Sequence, residues 1–221
     1  MNVILFDFDG TIANSLDIAF HITNRLAKEF GYPTTSLEEF KQLKKLSSRE
    51  ILKQAKISVF VVPFLVKRFN AEFGQSIQQL PIFPGMRETL LELKQRGDWL
   101  GIVSTNSEKN IRSFLETQRL SDVFAQVVSS SRPFGKSRLI KKIVRQHGFA
   151  SDALFYVGDE TRDIEAARKS GIRAIAVTWG FNSAEALAAQ QPDFLIHQPP
   201  DLLALTRPAS ASQTGDNRHF L

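Results

Sequence analysis

From Met86 onward, short apolar runs alternate with segments whose apolar residues recur at helical spacing. The apolar runs have the length of strands, and the segments between them are long enough to be helices that cross a sheet. This alternation predicts parallel βαβ units with right-handed crossovers. We therefore predict an α/β fold with a doubly wound, Rossmann-like parallel sheet. Strands are predicted over 99–104, 126–129, 154–158, 173–178 and 194–196, and helices over 86–96, 107–117, 137–147 and 161–170.

One more apolar run, which begins at Val3 and reaches Gly10, is predicted to be a strand; it precedes this series and is followed by a block with helical spacing only. Turn signals at Pro81 and Pro84-Gly85 close the block. A helical block between a first strand and a later α/β series predicts an α-helical cap domain inserted into the core. The predicted cap helices cover 16–30, 37–43, 47–55 and 59–73, the cap as a whole covers 14–80, and the catalytic core covers 1–13 and 81–206.

Composition limits the class of protein. The 221 residues are 43% hydrophobic, which is enough to fill a sizeable core. The absence of cysteine excludes disulfides, thiolate zinc sites and cysteine nucleophiles, and it favours an intracellular protein. With no basic leader before the first strand and no apolar run as long as a membrane span, we expect a soluble, cytoplasmic protein. Residues 207–221, rich in Ser, Pro, Gly and Asn, are predicted to form a disordered tail.

The formal net charge of +5 is concentrated in one part of the chain. Residues 41–70 contain eight basic residues and one acidic residue, so the remainder is slightly acidic. Such a segment is typical of a solvated helix face, and the alternative is that it attracts an anionic substrate to a nearby cleft. Because aromatic residues do not alternate with the basic ones, we expect no nucleic-acid partner.

Two carboxylates, Asp7 and Asp9, follow the first apolar strand and lead into Gly10-Thr11. Like charges this close at the end of a buried strand are costly unless a cation or a shared proton offsets their repulsion. A hard divalent ion would do so. The alternative is that one acid caps the next helix and the other is solvated, but it leaves the pairing of acids and the Gly-Thr step without a role.

Polar residues also follow the later strands, and the carboxyl ends of parallel strands meet at one edge of the sheet. Together these residues offer acids, a hydroxyl, an amide and a single cation, which fold maintenance alone does not explain. They suit phosphoryl transfer, in which a carboxylate attacks phosphorus, Mg²⁺ offsets the repulsion between anions and polar groups hold the phosphate oxygens. The converging residues are Asp7, Asp9, Ser104, Thr105, Asn106, Lys136, Asp159 and Asp163.

The order of these motifs resembles the four motifs of the haloacid dehalogenase superfamily, and within it the phosphoglycolate-phosphatase-like hydrolases with a helical cap. The resemblance implies Asp7 as the nucleophile that forms an aspartyl-phosphate and Asp9 as the acid and base. It implies Mg²⁺ bound by Asp7, Asp159, Asp163 and the backbone carbonyl of Asp9. The implied or candidate phosphate contacts are Gly10, Thr11, Ser104, Thr105, Asn106 and Lys136.

Substrate specificity is expected in the cap, because the helices that cover a reacting phosphate also contact its leaving group. The candidate specificity residues are Lys44, Lys45, Ser47, Ser48 and Arg49. A basic surface loop is the alternative interpretation of each. The aromatic stripe from Phe60 to Phe73 is predicted to pack inside the cap. Where similar proteins carry Asp-Ser, this chain has Asn14-Ser15, and we expect Asn14 to cap the following helix.

The leading hypothesis is thus a Mg²⁺-dependent phosphatase acting on a small, anionic phosphomonoester. A sugar-phosphate mutase shares every core motif, and a phosphonate hydrolase would need a Schiff-base lysine in the cap; both stay open. A receiver-type phospho-acceptor is half this length, lacks a cap and has a different motif order. A binding protein on a degenerate hydrolase fold would have lost a catalytic residue, and none is lost here.

Overall fold

The computed structural model describes residues 1–58, 60–130, 132, 134–149 and 153–206. The predicted tail over 207–221 lies outside these residues. Within the described part of the chain, no helix combines the length and the apolar character that crossing a bilayer requires.

Within the residues that the structure describes, six parallel strands form one sheet in the order β3-β2-β1-β4-β5-β6. The strand order reverses between β1 and β4, so these two strands form the centre of the sheet and its topological switch point. The predicted Rossmann-like α/β fold is confirmed. The strands are β1 (Val3–Phe6), β2 (Trp99–Ser104), β3 (Gln126–Ser129), β4 (Leu154–Gly158), β5 (Arg173–Val177) and β6 (Phe194–Ile196).

Helices cover both faces of the sheet, because alternate side chains of each strand point to opposite faces. Ile4 and Phe6 of β1 belong to one buried apolar cluster, and Val3 and Leu5 belong to another. The core helices are α5 (Met86–Gln95), α6 (Glu108–Thr117), α7 (Lys136–His147), α8 (Thr161–Ser170), α9 (Ala184–Ala189) and α10 (Asp201–Leu205). The short helices α9 and α10 were not predicted from the sequence.

The segment between β1 and α5 is helical, as predicted. Its helices are α1 (Leu16–Phe30), α2 (Leu37–Leu43), α3 (Ser48–Gln54) and α4 (Val62–Phe73), and a 3₁₀ turn follows at Ile77–Gln79. The two ends of this segment lie side by side, since the Asn14 amide donates to the Pro81 carbonyl at 2.9 Å and Ala13 pairs with Ile82. This junction supports residues 14–80 as the cap, and we keep that division as a proposal.

Two details of the cap differ from the sequence expectations. Phe69 and Phe73 stack with ring centroids 5.5 Å apart, but Phe60 is 91% exposed, so the predicted aromatic stripe is wrong at its start. The residue before the first turn of α1 is Ser15 rather than Asn14, and its side chain makes no capping hydrogen bond. The Ser15 hydroxyl is instead used in the site below.

Candidate active site

Asp7 follows the central strand β1 and is buried, with 2% of its surface exposed. Its amide donates to the Val157 carbonyl, which continues the pairing of β1 with β4 for one more residue. The carboxylate accepts from the Phe8 amide at 2.8 Å on one oxygen and from Lys136 Nζ at 2.5 Å on the other. Backbone and side-chain bonds therefore fix the orientation of this carboxylate.

Lys136 begins α7 and extends beneath the sheet edge, where its side chain is 1% exposed. Besides Asp7, its ammonium contacts Asp163 at 2.7 Å. Burial would lower the pKa of Lys136, but the attraction of Asp163 and Asp7 outweighs burial and raises that pKa above its ordinary value. The ammonium thus stays charged and bridges two of the acids.

Asp7, Asp159 and Asp163 offer carboxylate oxygens within 4.8 Å of one another, and all three side chains are buried. Burial raises the pKa of Asp159 well above its usual range, and the neighbouring charges of Glu160, Asp163 and Asp7 add to the shift. Burial also raises the pKa of Asp163 to about 6, although Lys136 opposes the shift. Three carboxylates in one buried place repel one another, and an all-oxygen donor set of this kind fits Mg²⁺.

Glycines make the close approach of these acids possible. A Cβ atom on Gly158 would lie 2.5 Å from Cβ of Asp163. A Cβ on Gly180 would overlap the Asp159 side chain and the carbonyl of Gly10. Gly10 itself has a φ of +74°, in the left-handed region that favours glycine, and its missing side chain leaves room for Asp159.

The second acid of the first motif, Asp9, has a different environment from Asp7. Its carboxylate accepts from Asn106 Nδ2 at 2.9 and 3.2 Å. Burial and the charge of Asp7 raise the pKa of Asp9 to about 7, while hydrogen bonds from Asn106 and Ser15 partly oppose the shift. A carboxyl group with that pKa can both donate and accept a proton near neutral pH.

The predicted phosphate contacts take several positions around this edge. The Thr11 hydroxyl donates to Asp159 at 2.8 Å, and the Gly10 amide donates to the Ala13 carbonyl. Both groups therefore brace the turn. Ser104 is buried and accepts from the Asn106 amide at 3.2 Å, whereas Thr105 lines a cleft between α4 and α6. The assignments of all these residues as phosphate contacts stay predictions.

The cap candidates lie in and after the turn between α2 and α3, which rests on the core. Lys44 is half-buried, Lys45 is exposed, and Ser47 caps α3 by accepting from the Glu50 amide. Ser48 donates to Glu160 at 2.9 Å. Arg49 pairs with Glu165 at 3.0 Å and lies over the ring of Phe134. Their predicted role in specificity is thus placed at a cap–core contact, and it stays a prediction.

Sequence reasoning missed two residues of this site, Ser15 and Asn182. Ser15 was considered only as part of the Asn14-Ser15 pair, yet its buried hydroxyl bonds to Asp9. Asn182 lies in the loop after β5 and connects Asp159 with the cap. A single asparagine in a loop belongs to no sequence motif, so the sequence did not single it out. The sequence feature that could have pointed to Asn182 is its position in the loop over 179–183, which follows the carboxyl end of β5.

The parallel sheet with acids at its strand ends has the arrangement of an α/β hydrolase, and comparison with known proteins gives the family. The model of the haloacid dehalogenase-like hydrolase family matches residues 4–177, and the chain belongs to this family. The chain is 41% identical over 203 residues to a phosphoglycolate phosphatase of Synechococcus elongatus, covering 92% of this chain and 96% of that protein. The family, and an enzyme of the phosphoric monoester hydrolase class, are thus confirmed as predicted.

Solved structures agree on the fold. A haloacid dehalogenase-like family hydrolase of Streptococcus pneumoniae superposes with a TM-score of 0.76 at 24% identity, covering 94% of this chain and 99% of that one. A predicted phosphatase of Clostridium acetobutylicum gives a TM-score of 0.78 at 20% identity, covering 92% and 97%. Because at least 92% of this chain is covered, the similarity includes most of the helical segment between β1 and α5 as well as the sheet.

Proposed function

We propose that this chain is a Mg²⁺-dependent phosphatase that hydrolyses a small phosphomonoester, with 2-phosphoglycolate as its substrate, through an aspartyl-phosphate on Asp7. The observation that carries the proposal is the difference in environment between two neighbouring acids, Asp7 and Asp9. Asp7 is buried and bound to Lys136, and Asp9, two residues on, has a pKa near 7. One carboxylate is positioned to attack, and the other can carry the proton.

In the first step, an oxygen of Asp7 attacks phosphorus while Asp9 donates its proton to the departing alkoxide oxygen. In the second step, Asp9 accepts a proton from water as that water attacks the phosphorus. The bond between the Asp7 oxygen and phosphorus breaks, which restores the carboxylate of Asp7 and releases inorganic phosphate. Lys136 keeps the carboxylate of Asp7 oriented throughout. Asn106 holds Asp9 at the edge where the leaving oxygen departs. The buried surroundings limit competing proton transfer to solvent.

Asp7, Asp159 and Asp163 would hold Mg²⁺, with the Asp9 carbonyl as a further proposed ligand. The ion supplies positive charge that offsets the repulsion between the attacking carboxylate and the phosphate. The choice of Mg²⁺ follows from the three buried carboxylate donors, because hard divalent cations prefer oxygen ligands.

The substrate proposal is supported by the Synechococcus elongatus relative, which is a phosphoglycolate phosphatase and matches this chain almost end to end. A small anionic leaving group such as glycolate also suits the basic cap segment, where eight of nine charged residues over 41–70 are positive. A cytoplasmic location fits an enzyme of small metabolites and is part of the same proposal.

The test is a phosphate-release assay with purified protein on 2-phosphoglycolate, hexose phosphates, nucleoside monophosphates, phosphoserine and phosphonoacetaldehyde. We expect the highest kcat/KM on 2-phosphoglycolate, loss of turnover in EDTA and recovery with Mg²⁺. A transient phosphoenzyme should be trapped by acid quench and should be absent in Asp7→Asn.

Each alternative has its own signature in this assay. Conversion of one sugar phosphate into its isomer without phosphate release would identify a mutase. Release from phosphonoacetaldehyde that borohydride blocks would identify a phosphonate hydrolase with a cap lysine in Schiff-base linkage. No turnover of any compound, with Mg²⁺ present, would contradict the proposed function and favour a binding protein.

A further inference from the structure

Asn182 is a buried residue with an unusual set of partners for a loop asparagine. Only 1% of its surface is exposed. Its carboxamide nitrogen donates to the Lys44 carbonyl at 3.0 Å and to the Leu46 carbonyl at 2.8 Å. Its carboxamide oxygen accepts from the Thr161 amide at 2.9 Å. The opposite orientation of the carboxamide would face an oxygen toward two carbonyl oxygens, so the pattern of partners permits only this one.

The partners of Asn182 belong to two different parts of the site. Lys44 and Leu46 lie in the turn between the cap helices α2 and α3. Thr161 is the first residue of α8, the helix that carries Asp163. The backbone amide of Asn182 also donates to the carbonyl of Asp159 at 3.2 Å. One buried residue therefore bonds both the cap and the segment that holds two acids of the proposed metal site.

The neighbours of Asn182 repeat this pattern on either side. The Phe181 amide donates to the carboxylate of Asp159 at 2.7 Å. The Ser183 amide donates to the Lys44 carbonyl at 2.7 Å, beside the bond from Asn182. Three consecutive residues thus connect an acid of the cluster to one carbonyl of the cap turn. Of the three loop residues, Asn182 is the one that makes these contacts with its side chain, so its contacts are the ones that substitution can remove.

Movement of the cap turn away from the core would break these bonds. A buried carboxamide without hydrogen-bond partners carries a substantial free-energy penalty. Docking of the cap turn therefore stabilises the loop in its bonded conformation, and that conformation stabilises the docked cap turn. The same loop holds Asp159 through Phe181 and the start of α8 through Thr161. A change in the docking of the cap turn would therefore alter the positions of Asp159 and of the first turn of α8, because the loop connects them.

We infer that Asn182 is a positioning residue that couples docking of the cap turn to the orientation of Asp159 and of the first turn of α8. In this role it holds the metal-binding acids in their working arrangement when the cap is docked over the substrate. The inference deepens the proposed function and rests on it for the catalytic consequence, but not for the structural coupling.

The test compares Asn182→Ala and Asn182→Ser with Glu165→Gln. Glu165→Gln removes another cap–core contact, the ion pair with Arg49, together with the exposed pair with Lys169 on α8, and it does not touch Asp159 or Thr161. Mg²⁺ affinity is measured by calorimetry in the absence of substrate. Backbone hydrogen exchange is followed at Thr161 and Ser183, and kcat and KM are measured at saturating Mg²⁺.

For Asn182→Ala we expect the Mg²⁺ dissociation constant to rise about tenfold, as is typical for residues that orient metal ligands. We expect faster exchange at both amides and a fall in kcat that exceeds the change in KM. Asn182→Ser keeps a single hydroxyl and should lie between the wild type and Asn182→Ala. Glu165→Gln should leave the Mg²⁺ dissociation constant within about twofold of the wild type.

A purely structural role gives a different result. In that case Asn182→Ala would lower the melting temperature, but Mg²⁺ affinity and exchange at Thr161 would match the wild type, and the inference would be wrong. If Asn182→Ala does not fold, the same criteria apply to Asn182→Ser. If the wild type proves inactive on every phosphomonoester, the proposed function fails, while the Mg²⁺ titration and the exchange measurement still test the coupling.

Discussion

The sheet edge and the cap turn both carry charged side chains, but those at the sheet edge are buried and paired, whereas those in the cap turn are more exposed to solvent. At the sheet edge, Lys136 is 1% exposed and lies between Asp7 and Asp163 at bonding distance. In the cap turn, Lys45 faces solvent, and at the start of α3 the side chain of Arg49 is 60% exposed. Charges of the first kind interact strongly because water is excluded, whereas charges of the second kind are screened.

This difference shows where chemistry and recognition reside. The buried acids and Lys136 are so closely coupled that a change in one alters the others, which suits a reaction centre. The cap turn meets the core mainly through the carbonyls of Lys44 and Leu46 and through Ser48. Its side chains can therefore vary with the substrate while the docking contacts are kept. The predictions below probe the two regions in order of expected effect.

The largest effect is expected at the sheet edge. Asp7→Asn should lower kcat by at least about 10³-fold, because an amide cannot form the acyl phosphate. Folding should be largely kept, since Lys136 retains Asp163 as a partner. Phosphate release and urea unfolding measure the two properties. The control is Asp122→Asn, an exposed acid in the connection between α6 and β3, and full phosphate release by Asp7→Asn would disprove the mechanism.

Removal of the buried cation tests the coupling within the acid cluster. Lys136→Met should destabilise the fold by about 3–5 kcal/mol, because Asp7 and Asp163 lose their shared partner in a buried place. Saturating Mg²⁺ should restore more stability to this variant than to the wild type, since the ion neutralises the same acids. Urea unfolding in EDTA and in Mg²⁺ measures both effects.

A matched lysine on the surface serves as the control for that variant. Lys169→Met removes an exposed pair with Glu165 on α8 and should cost less than about 1 kcal/mol. Equal destabilisation by the two substitutions would show that the buried contacts of Lys136 add nothing to stability.

The fold was predicted from the sequence almost completely, and the core motifs were recognised, because apolar runs ending in polar residues repeat at every central strand. β2, β3, β4 and β6 have the predicted bounds, and β5 is one residue shorter. Helices α9 and α10 were missed because five or six residues are too few to show helical periodicity. Phe60 was misplaced because periodicity does not reveal where the first turn of a helix begins.

The site contacts were harder to predict than the site residues. Asn182 and Ser15 act through contacts between segments far apart in the chain, and no local pattern encodes such contacts. The side chain of Arg162 is 17% exposed and pairs with Glu160 at 2.5 Å, a contact that the sequence pattern does not show. The spacing of acids on α8 showed which residues share a face, but it did not show what packs against that face.

Neutralising the cap turn should have a moderate effect on binding. The triple variant Lys44→Ala, Lys45→Ala, Arg49→Ala should raise KM about three- to tenfold, with a smaller change in kcat and a weaker dependence of KM on salt. Arg49 should contribute least, because its guanidinium already pairs with Glu165. Steady-state kinetics at several salt concentrations measure the effect.

The control for the cap variant carries the same loss of charge elsewhere in the cap. Lys41, Lys53 and Lys56 are exposed residues of the cap outside the turn between α2 and α3, and their replacement by Ala should leave KM nearly unchanged. If both triple variants raise KM equally, the effect is one of overall charge. If neither does, the basic segment is a solvated surface.

The smallest expected effect lies at the boundary of the two regions, at Ser15. This residue precedes the first cap helix, but its hydroxyl bonds to Asp9 in the core and lowers the pKa of that carboxyl. Ser15→Ala should therefore raise the pKa of Asp9. Because Asp9 must be protonated to act as the acid, the alkaline limb of kcat/KM should move to higher pH, by about half a unit. The control is Ser76→Ala, a residue that likewise precedes a helical turn without capping it, and it should leave the profile in place. A shift of the alkaline limb to lower pH in Ser15→Ala would show that the limb reports the titration of another group. It would also show that Ser15 does not lower the pKa of Asp9.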